Sequence, residues 1–96
     1  MVLMGRDKLN AFLRKYADSE GWLVSWVTEV ENATWSTPHE LKERYGSASL
    51  LGNGEVVFNV RGNKYRMHCK VNYGSRVVLV KWIGTHAEYS KLNLGR

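Results

Sequence analysis

The chain has 96 residues, 44% of them hydrophobic, and a formal net charge of +5. This length predicts one small domain over residues 1–96 with a single core and excludes a second domain. The apolar run at residues 1–4 is too short for a signal peptide or a membrane span. Cys69 is the one cysteine, which excludes an internal disulfide and fits a reducing compartment. We therefore expect a soluble cytoplasmic protein with an acidic partner and no membrane association.

Two helical patterns follow a brief edge strand predicted at residues 1–4. The first helix takes Asp7 as its N-cap and ends near Ala17, and the second takes Asp18 or Ser19 as its N-cap. Apolar residues recur at helical spacing in both, namely Leu9, Phe12, Leu13 and Tyr16 in the first and Trp22, Leu23, Trp26, Val27 and Val30 in the second. The two apolar stripes predict a helical hairpin that covers one face of a sheet.

A third helix start signal lies at Thr37, Pro38 and Glu40. The Thr hydroxyl and the Glu carboxylate can satisfy exposed backbone donors, and proline is favoured at the first helical position. The signal predicts a short helix from residue 38 to about residue 45, which stops at Gly46.

After Gly46 the periodicity changes from helical to strand. The predicted strands are 47–51, 55–60, 64–71 and 76–83, separated by turns rich in glycine and asparagine. Sequential strands joined by hairpins form an antiparallel meander. The sequence therefore predicts an α+β fold, with an antiparallel sheet and two N-terminal helices packed on one face.

The strand predicted at residues 64–71 has two contrasting faces. Tyr65, Met67, Cys69 and Val71 fall on one side, and Lys64, Arg66, His68 and Lys70 fall on the other. Residues 61–96 carry eight Lys/Arg against Glu88 alone, whereas residues 1–60 carry six against eight Asp/Glu. Solvated faces normally mix both signs, so we favour phosphate binding over a face charged only for solubility. Alternate strand residues stand about 6.5 to 7 Å apart, close to the phosphate spacing of a nucleic-acid strand.

The residue types that are scarce in residues 61–96 argue against several classes of nuclease site. A two-metal nuclease needs several carboxylates, and this basic half offers only Glu88. Zinc is not expected, because His68 and Cys69 point to opposite faces of the strand. RNA offers a route without a metal or another cofactor, since its own 2′-hydroxyl can attack the adjacent phosphate. His86, Glu88 or Tyr89 could transfer protons, although His86 could instead cap a terminal turn and the Tyr89 ring could pack on the sheet edge. The cations available to stabilise the phosphate are Lys64, Arg66 and Lys81.

Three segments carry a family resemblance. They are VVFNVRGNKYRMHCKVNY, VVLVKWIGTHAEYSKL and the earlier ATWSTPHELK. The chain resembles the HigB-type toxins of bacterial type II toxin-antitoxin systems, with the motifs G-N-K-Y-R and G-T-H-x-E-Y. The resemblance implies a compact RelE-like α+β fold and an mRNA endonuclease (mRNA interferase) that inhibits translation. The implied partners are mRNA, either free or on the ribosome, and a HigA-type antitoxin with a helix-turn-helix DNA-binding domain.

The same resemblance places the expected site. Its catalytic residues would be Lys64, Arg66, His86, Glu88 and Tyr89, and its RNA-binding residues would be Arg61, Asn63, His68, Lys70 and Lys81. Arg66 and Lys64 would bind the scissile phosphate, His86 would be the leading general acid or base, and Tyr89 would orient the substrate or share in proton transfer. Two positions depart from the family pattern. Lys81 stands where arginine is common, and lysine keeps the charge but cannot donate the two parallel hydrogen bonds of a guanidinium. Ser90 stands where aspartate is usual, which removes a carboxylate.

Two other functions remain open from the sequence. A toxin with the same RelE/ParE fold could act on DNA gyrase without cutting RNA, and arrested cells would then show DNA damage in place of broken transcripts. A non-catalytic nucleic-acid-binding module would bind RNA in a salt-sensitive way and create no new 5′-hydroxyl ends.

Overall fold

The computed structural model describes residues 1–92. In chain order its elements are β1 (Val2–Met4), α1 (Arg6–Lys15), a 3₁₀ turn (Ala17–Ser19), α2 (Glu20–Asn32), α3 (Pro38–Arg44), β2 (Ser49–Gly52), β3 (Glu55–Val60), β4 (Tyr65–Asn72), β5 (Val77–Thr85) and α4 (His86–Ser90). No helix in this part of the chain is both long and apolar enough to cross a membrane.

The strands form one sheet in the order β1-β5-β4-β3-β2. Neighbours from β2 to β5 pair antiparallel, which confirms the predicted meander. β1 is the predicted edge strand, but it pairs parallel with β5, with Leu3 opposite Val78, so the sheet is mixed where an antiparallel one was expected. The parallel pairing arises because the chain crosses the helical layer before it returns to the sheet.

α1 and α2 cover one face of this sheet, as the two apolar stripes predicted. The core joins Leu9, Phe12, Leu23, Trp26 and Val30 from the helices to Val56, Phe58, Met67, Cys69, Val78 and Val80 from the strands. Alternate strand residues point away from these helices. The predicted α+β class with two helices on one face is confirmed.

The start of α1 differs from the prediction. The cap position is Gly5, with φ 85°, and Asp7 lies within the first turn. A Cβ at Gly5 would lie 2.5 Å from the carbonyl oxygen of Val80, so the chain leaves β1 at a place where only glycine fits. The predicted start of α3 is confirmed, because the Glu40 amide donates to the Thr37 hydroxyl at 3.3 Å.

β4 begins one residue later than predicted, at Tyr65, and leaves Lys64 in the preceding turn. Residues 61–64 form a turn in which the Lys64 amide donates to the Arg61 carbonyl at 3.3 Å. Arg61 and Gly62 have φ values of 52° and 67°. Val60 therefore faces Tyr65, and Lys64 lies outside the strand alternation that was predicted to place it beside Arg66.

Candidate active site

The two basic sequence motifs meet at one end of the β4–β5 pair. Arg66 lies opposite Gly84, and Tyr65 lies opposite Thr85, where β5 ends and α4 begins. The His86 amide donates to the Lys64 carbonyl at 3.2 Å. The segments 62–66 and 84–89 therefore form one rim of the sheet, as the two motifs together predicted.

A capping box holds α4 at this rim. The Glu88 amide donates to the Thr85 hydroxyl at 3.1 Å, and the Thr85 amide donates to the Glu88 carboxylate at 2.8 Å. These hydrogen bonds from Thr85 lower the pKa of the Glu88 carboxyl below its ordinary value. The carboxylate already accepts the Thr85 amide, so this geometry favours a structural role for Glu88 over the predicted catalytic one.

His86 and Tyr89 occupy different environments in α4. His86 is the first helical residue and is exposed, with its carbonyl accepting a hydrogen bond from the Ser90 hydroxyl at 3.0 Å. Tyr89 is half-buried, and its ring centroid lies 6.4 Å from that of Trp82. The imidazole can therefore reach a ligand at the rim, whereas the phenol ring is held against the end of β5.

Arg66 supplies the positive charge of this rim. Its guanidinium donates to the Tyr65 carbonyl at 3.2 Å and lies 3.5 Å from the Asn63 side-chain oxygen. Among residues 1–92 no carboxylate forms an ion pair with Arg66, which is half-buried. A guanidinium without a carboxylate partner keeps its donors for an anionic ligand such as phosphate.

The other predicted cations of this face converge on Glu55. The His68 Nε2 lies 2.5 Å from the Glu55 carboxylate, and the ammonium groups of Lys70 and Lys81 lie 3.2 and 3.0 Å from it. Lys70 also donates to the Asn53 carbonyl. Burial opposes ionisation of Glu55, but the hydrogen bonds from Lys81, Lys70 and His68 outweigh it and lower the pKa of the carboxyl to about 2.

His68 is consequently not the exposed RNA contact that the alternation predicted. Its side chain is only 7% exposed, and it contacts Glu55 from the neighbouring strand β3. The outer face of the strand itself carries basic residues as predicted, but the neighbouring β3 places this carboxylate beside them. The charge pattern of a single strand did not indicate this pairing, because Glu55 lies on β3, directly opposite Lys70 in the hairpin.

Lys64 and Arg61 turn towards the helical layer. Both contact the Asp18 carboxylate, at 2.6 and 2.7 Å, and the Tyr65 hydroxyl donates to the same group at 2.7 Å. Hydrogen bonds from Lys64, Tyr65 and Arg61 lower the pKa of Asp18 to about 2. The sequence pointed to Asp18 only as a helix cap, because its pairing depends on how the helical hairpin packs over the turn at residues 61–64.

The rim thus carries a guanidinium that has no carboxylate partner among residues 1–92, an exposed imidazole and a phenol. Lys64 is next to them in the chain and is paired with Asp18, whose place an anionic ligand could take. This set can bind a phosphate and move a proton, while Lys70 and Lys81 lie further along the sheet beside Glu55.

Comparisons with known proteins match the chain over this whole region. The family described as HigB_toxin, the RelE-like toxic component of a toxin-antitoxin system, matches residues 19–92. The chain is also 28% identical over 94 residues to the mRNA interferase HigB of Escherichia coli O6:H1, covering 96% of this chain and 91% of that protein. Both rim segments fall inside the two matches.

Proposed function

Because the chain belongs to the HigB family of RelE-like toxins, the toxic components of toxin-antitoxin systems, we propose that it is a metal-independent endoribonuclease. It cleaves mRNA in the cytoplasm and so inhibits translation, and a HigA-type antitoxin neutralises it. The relative named mRNA interferase supports the substrate. The observation that carries the proposal is the position of Arg66, unpaired among residues 1–92, on the strand that holds the start of α4 and its exposed His86.

The reaction uses the nucleophile that RNA itself supplies. The ribose 2′-oxygen attacks the adjacent phosphorus, and the bond from phosphorus to the 5′-oxygen breaks. A base takes the proton of the 2′-hydroxyl, and an acid gives a proton to the leaving 5′-oxygen. The products are a 2′,3′-cyclic phosphate and a 5′-hydroxyl end.

Each rim residue has a role that follows from the chemistry of its side chain. Arg66 contacts the scissile phosphate and stabilises the charge that builds on its oxygens in the transition state. His86 acts as general acid or base, and Tyr89 orients the substrate or takes part in the proton transfer. Lys64 binds phosphate by exchanging its Asp18 partner for the substrate. Glu88 holds α4 in place through Thr85.

The test is mapping of transcript ends after induction of the wild type and of His86→Ala, with and without translation. We expect new 5′-hydroxyl ends with the wild type and none with His86→Ala, and loss of cleavage when translation is blocked would place the reaction on the ribosome. Growth arrest with intact transcripts and damaged DNA would replace the proposal by a gyrase-directed toxin. RNA binding without new ends in either protein would leave only a binding module.

A further inference from the structure

A groove of about 380 Å³ runs between α1 and the last residues of β5. β4 pairs with one edge of β5 along its length, whereas on the other edge β1 pairs only with Val77–Leu79. Within residues 1–92, α1 and no strand lies along the remainder of that second edge. The groove is lined by three lysines and three aromatic rings, namely Lys8, Lys15, Lys81, Phe12, Tyr16 and Trp82. It is therefore both cationic and aromatic.

The groove is continuous with the rim. Gly84 and Glu88 line it as well, and Gly84 is the residue opposite Arg66 in the β4–β5 ladder. A strand of RNA whose phosphate contacts Arg66 would therefore enter this groove beside Gly84.

Two of the lysines keep their charge available. Lys8 and Lys15 are two turns apart on α1, about 10 Å along the helix axis, and Ala11 between them leaves the wall open. Neither lysine forms an ion pair with a carboxylate within residues 1–92. Lys81 reaches the same groove but is paired with Glu55. Glu88 also lines the groove, and the charge of Lys15 helps to lower the pKa of its carboxyl, but no ion pair joins the two groups.

Trp82 gives the groove a flat surface close to the rim. A Cβ at Gly84 would lie 2.5 Å from the Trp82 ring, so the indole lies against the backbone of Gly84. The ring is half-buried, and its centroid lies 6.4 Å from that of the Tyr89 ring. An aromatic face beside a cationic wall is the combination that binds single-stranded nucleic acid, because every base can stack on it.

We propose that this groove binds the RNA nucleotides next to the scissile phosphate, with Lys8 and Lys15 on their phosphates and Trp82 against one base. The inference rests on the proposed nuclease function and adds the path of the substrate. The RNA leaves the rim along α1, and not over the outer face of the sheet, where Glu55 already pairs with His68, Lys70 and Lys81.

The experiment compares two double variants of α1 that lose equal charge. Lys8→Ala/Lys15→Ala removes the groove lysines, and Arg6→Ala/Arg14→Ala removes two exposed arginines of the same helix that do not line it. The probe is a single-stranded RNA of about twelve nucleotides with 2′-O-methyl groups throughout, which cannot be cleaved by 2′-attack. Its dissociation constant is measured by fluorescence anisotropy over a range of salt concentrations, with thermal melting as the folding control.

We expect the groove variant to bind about tenfold more weakly at low salt, with a log K against log salt slope shallower by about 1.4. The arginine variant keeps the wild-type slope. Equal slopes for the two variants overturn the inference, and this is also the result if the groove serves a protein partner. Trp82→Tyr keeps the affinity and Trp82→Leu lowers it, whereas equal binding by both removes Trp82 from the site.

This measurement is independent of cleavage. If the groove lysines govern binding but the wild type cuts no RNA, the nuclease proposal fails and the groove assignment stands. If the wild type cuts RNA while the groove variant binds the probe normally, the groove assignment fails and the nuclease proposal stands.

Discussion

The backbone amide of His86 donates a hydrogen bond to the backbone carbonyl of Lys64 at 3.2 Å. This bond ties the start of α4 to the turn before β4, next to the ladder that places Arg66 opposite Gly84. Because only main-chain atoms form the tie, replacing the His86 side chain leaves α4 in place. A variant of the His86 side chain therefore tests chemistry and not folding.

The first prediction is that His86→Ala and Arg66→Ala each abolish growth arrest. Loss of a general acid or base slows cleavage by about 10² to 10⁴-fold. Loss of a group that stabilises transition-state charge slows it by about 10² to 10³-fold. Growth after induction and the rate of RNA cleavage are the measurements. Circular dichroism should show unchanged folds, and His39→Ala, at an exposed position on α3, should stay toxic. Full toxicity of both rim variants would exclude these two residues from the site.

Much of the fold could be predicted because it depends on local periodicity. The stripes that contain Leu23, Trp26 and Val30 pack on the sheet as their spacing indicated, and the hairpins follow from their turn residues. The two motifs meet because β4 and β5 are sequential antiparallel neighbours. A parallel partner for β5 was not predictable, since three residues at 2–4 carry no signal of their pairing direction.

The charge pairing of the site could not be predicted for two physical reasons. The turn at residues 61–64 has one residue more than its Gly and Asn content indicated, and this removes Lys64 from the strand. Asp18 reaches Lys64 only after the helical hairpin has packed, a contact between positions far apart in the chain. Periodicity reports which face a residue occupies, but not which residue of another element lies beside it.

The second prediction concerns the Asp18 carboxylate, which competes with phosphate for Lys64 and Arg61. Asp18→Asn keeps an acceptor for the Tyr65 hydroxyl but removes the charge. We expect tighter binding of single-stranded RNA at low salt, with a slope of log K against log salt steeper by about 0.7 for each lysine or arginine released onto a phosphate. Asp7→Asn, which removes the same charge from an exposed position on α1, is the control. An unchanged slope in Asp18→Asn would show that neither cation contacts RNA.

The third prediction is a pH dependence of stability from Glu55. Its pKa is about 2 in the fold and 4.5 as the reference value, so the folded state binds fewer protons between these values. The stabilisation is therefore complete above about pH 4.5 and is lost as the pH falls towards 2. Glu55→Gln should lower the free energy of unfolding by about 1 to 3 kcal/mol at pH 7, because it removes hydrogen bonds to a charged group.

Urea unfolding at pH 7 and pH 3 measures this effect. The difference between wild type and Glu55→Gln should shrink at the lower pH. Glu31→Gln breaks the exposed pair with Arg6 and should cost no more than about 1 kcal/mol. A constant difference between wild type and Glu55→Gln across this range would contradict the low pKa of Glu55.

The fourth prediction contrasts two glycines. Gly84→Ala places a Cβ within 2.7 Å of two Trp82 ring atoms and 2.9 Å from the Glu88 carboxylate, so the indole or α4 must shift. We expect lower thermal stability and loss of RNA cleavage. Gly21→Ala is the matched control, because Gly21 lies in α2 with no atom within 4 Å of the new Cβ. It should raise stability by about 0.5 kcal/mol. Equal stability changes in the two variants would show that Trp82 does not lie against Gly84.

The fifth prediction separates the two roles of Glu88. Glutamine can replace glutamate in a capping box, whereas alanine cannot accept the Thr85 amide. If Glu88 only holds α4, Glu88→Gln retains cleavage activity near the wild-type level, and Glu88→Ala loses it because the helix that carries His86 frays. Thr85→Val, which removes the other half of the box and keeps the carboxylate, should then behave like Glu88→Ala, with a loss of about 1 kcal/mol in stability.

Initial rates of RNA cleavage across the pH range distinguish the outcomes. Under the structural role, Glu88→Gln keeps the shape of the wild-type pH profile, since no proton passes through this side chain. A loss of rate in Glu88→Gln as large as that in His86→Ala, in a protein that melts like the wild type, would contradict this. The carboxylate would then share in proton transfer, and the low pKa set by its hydrogen bonds with Thr85 would favour the base over the acid role.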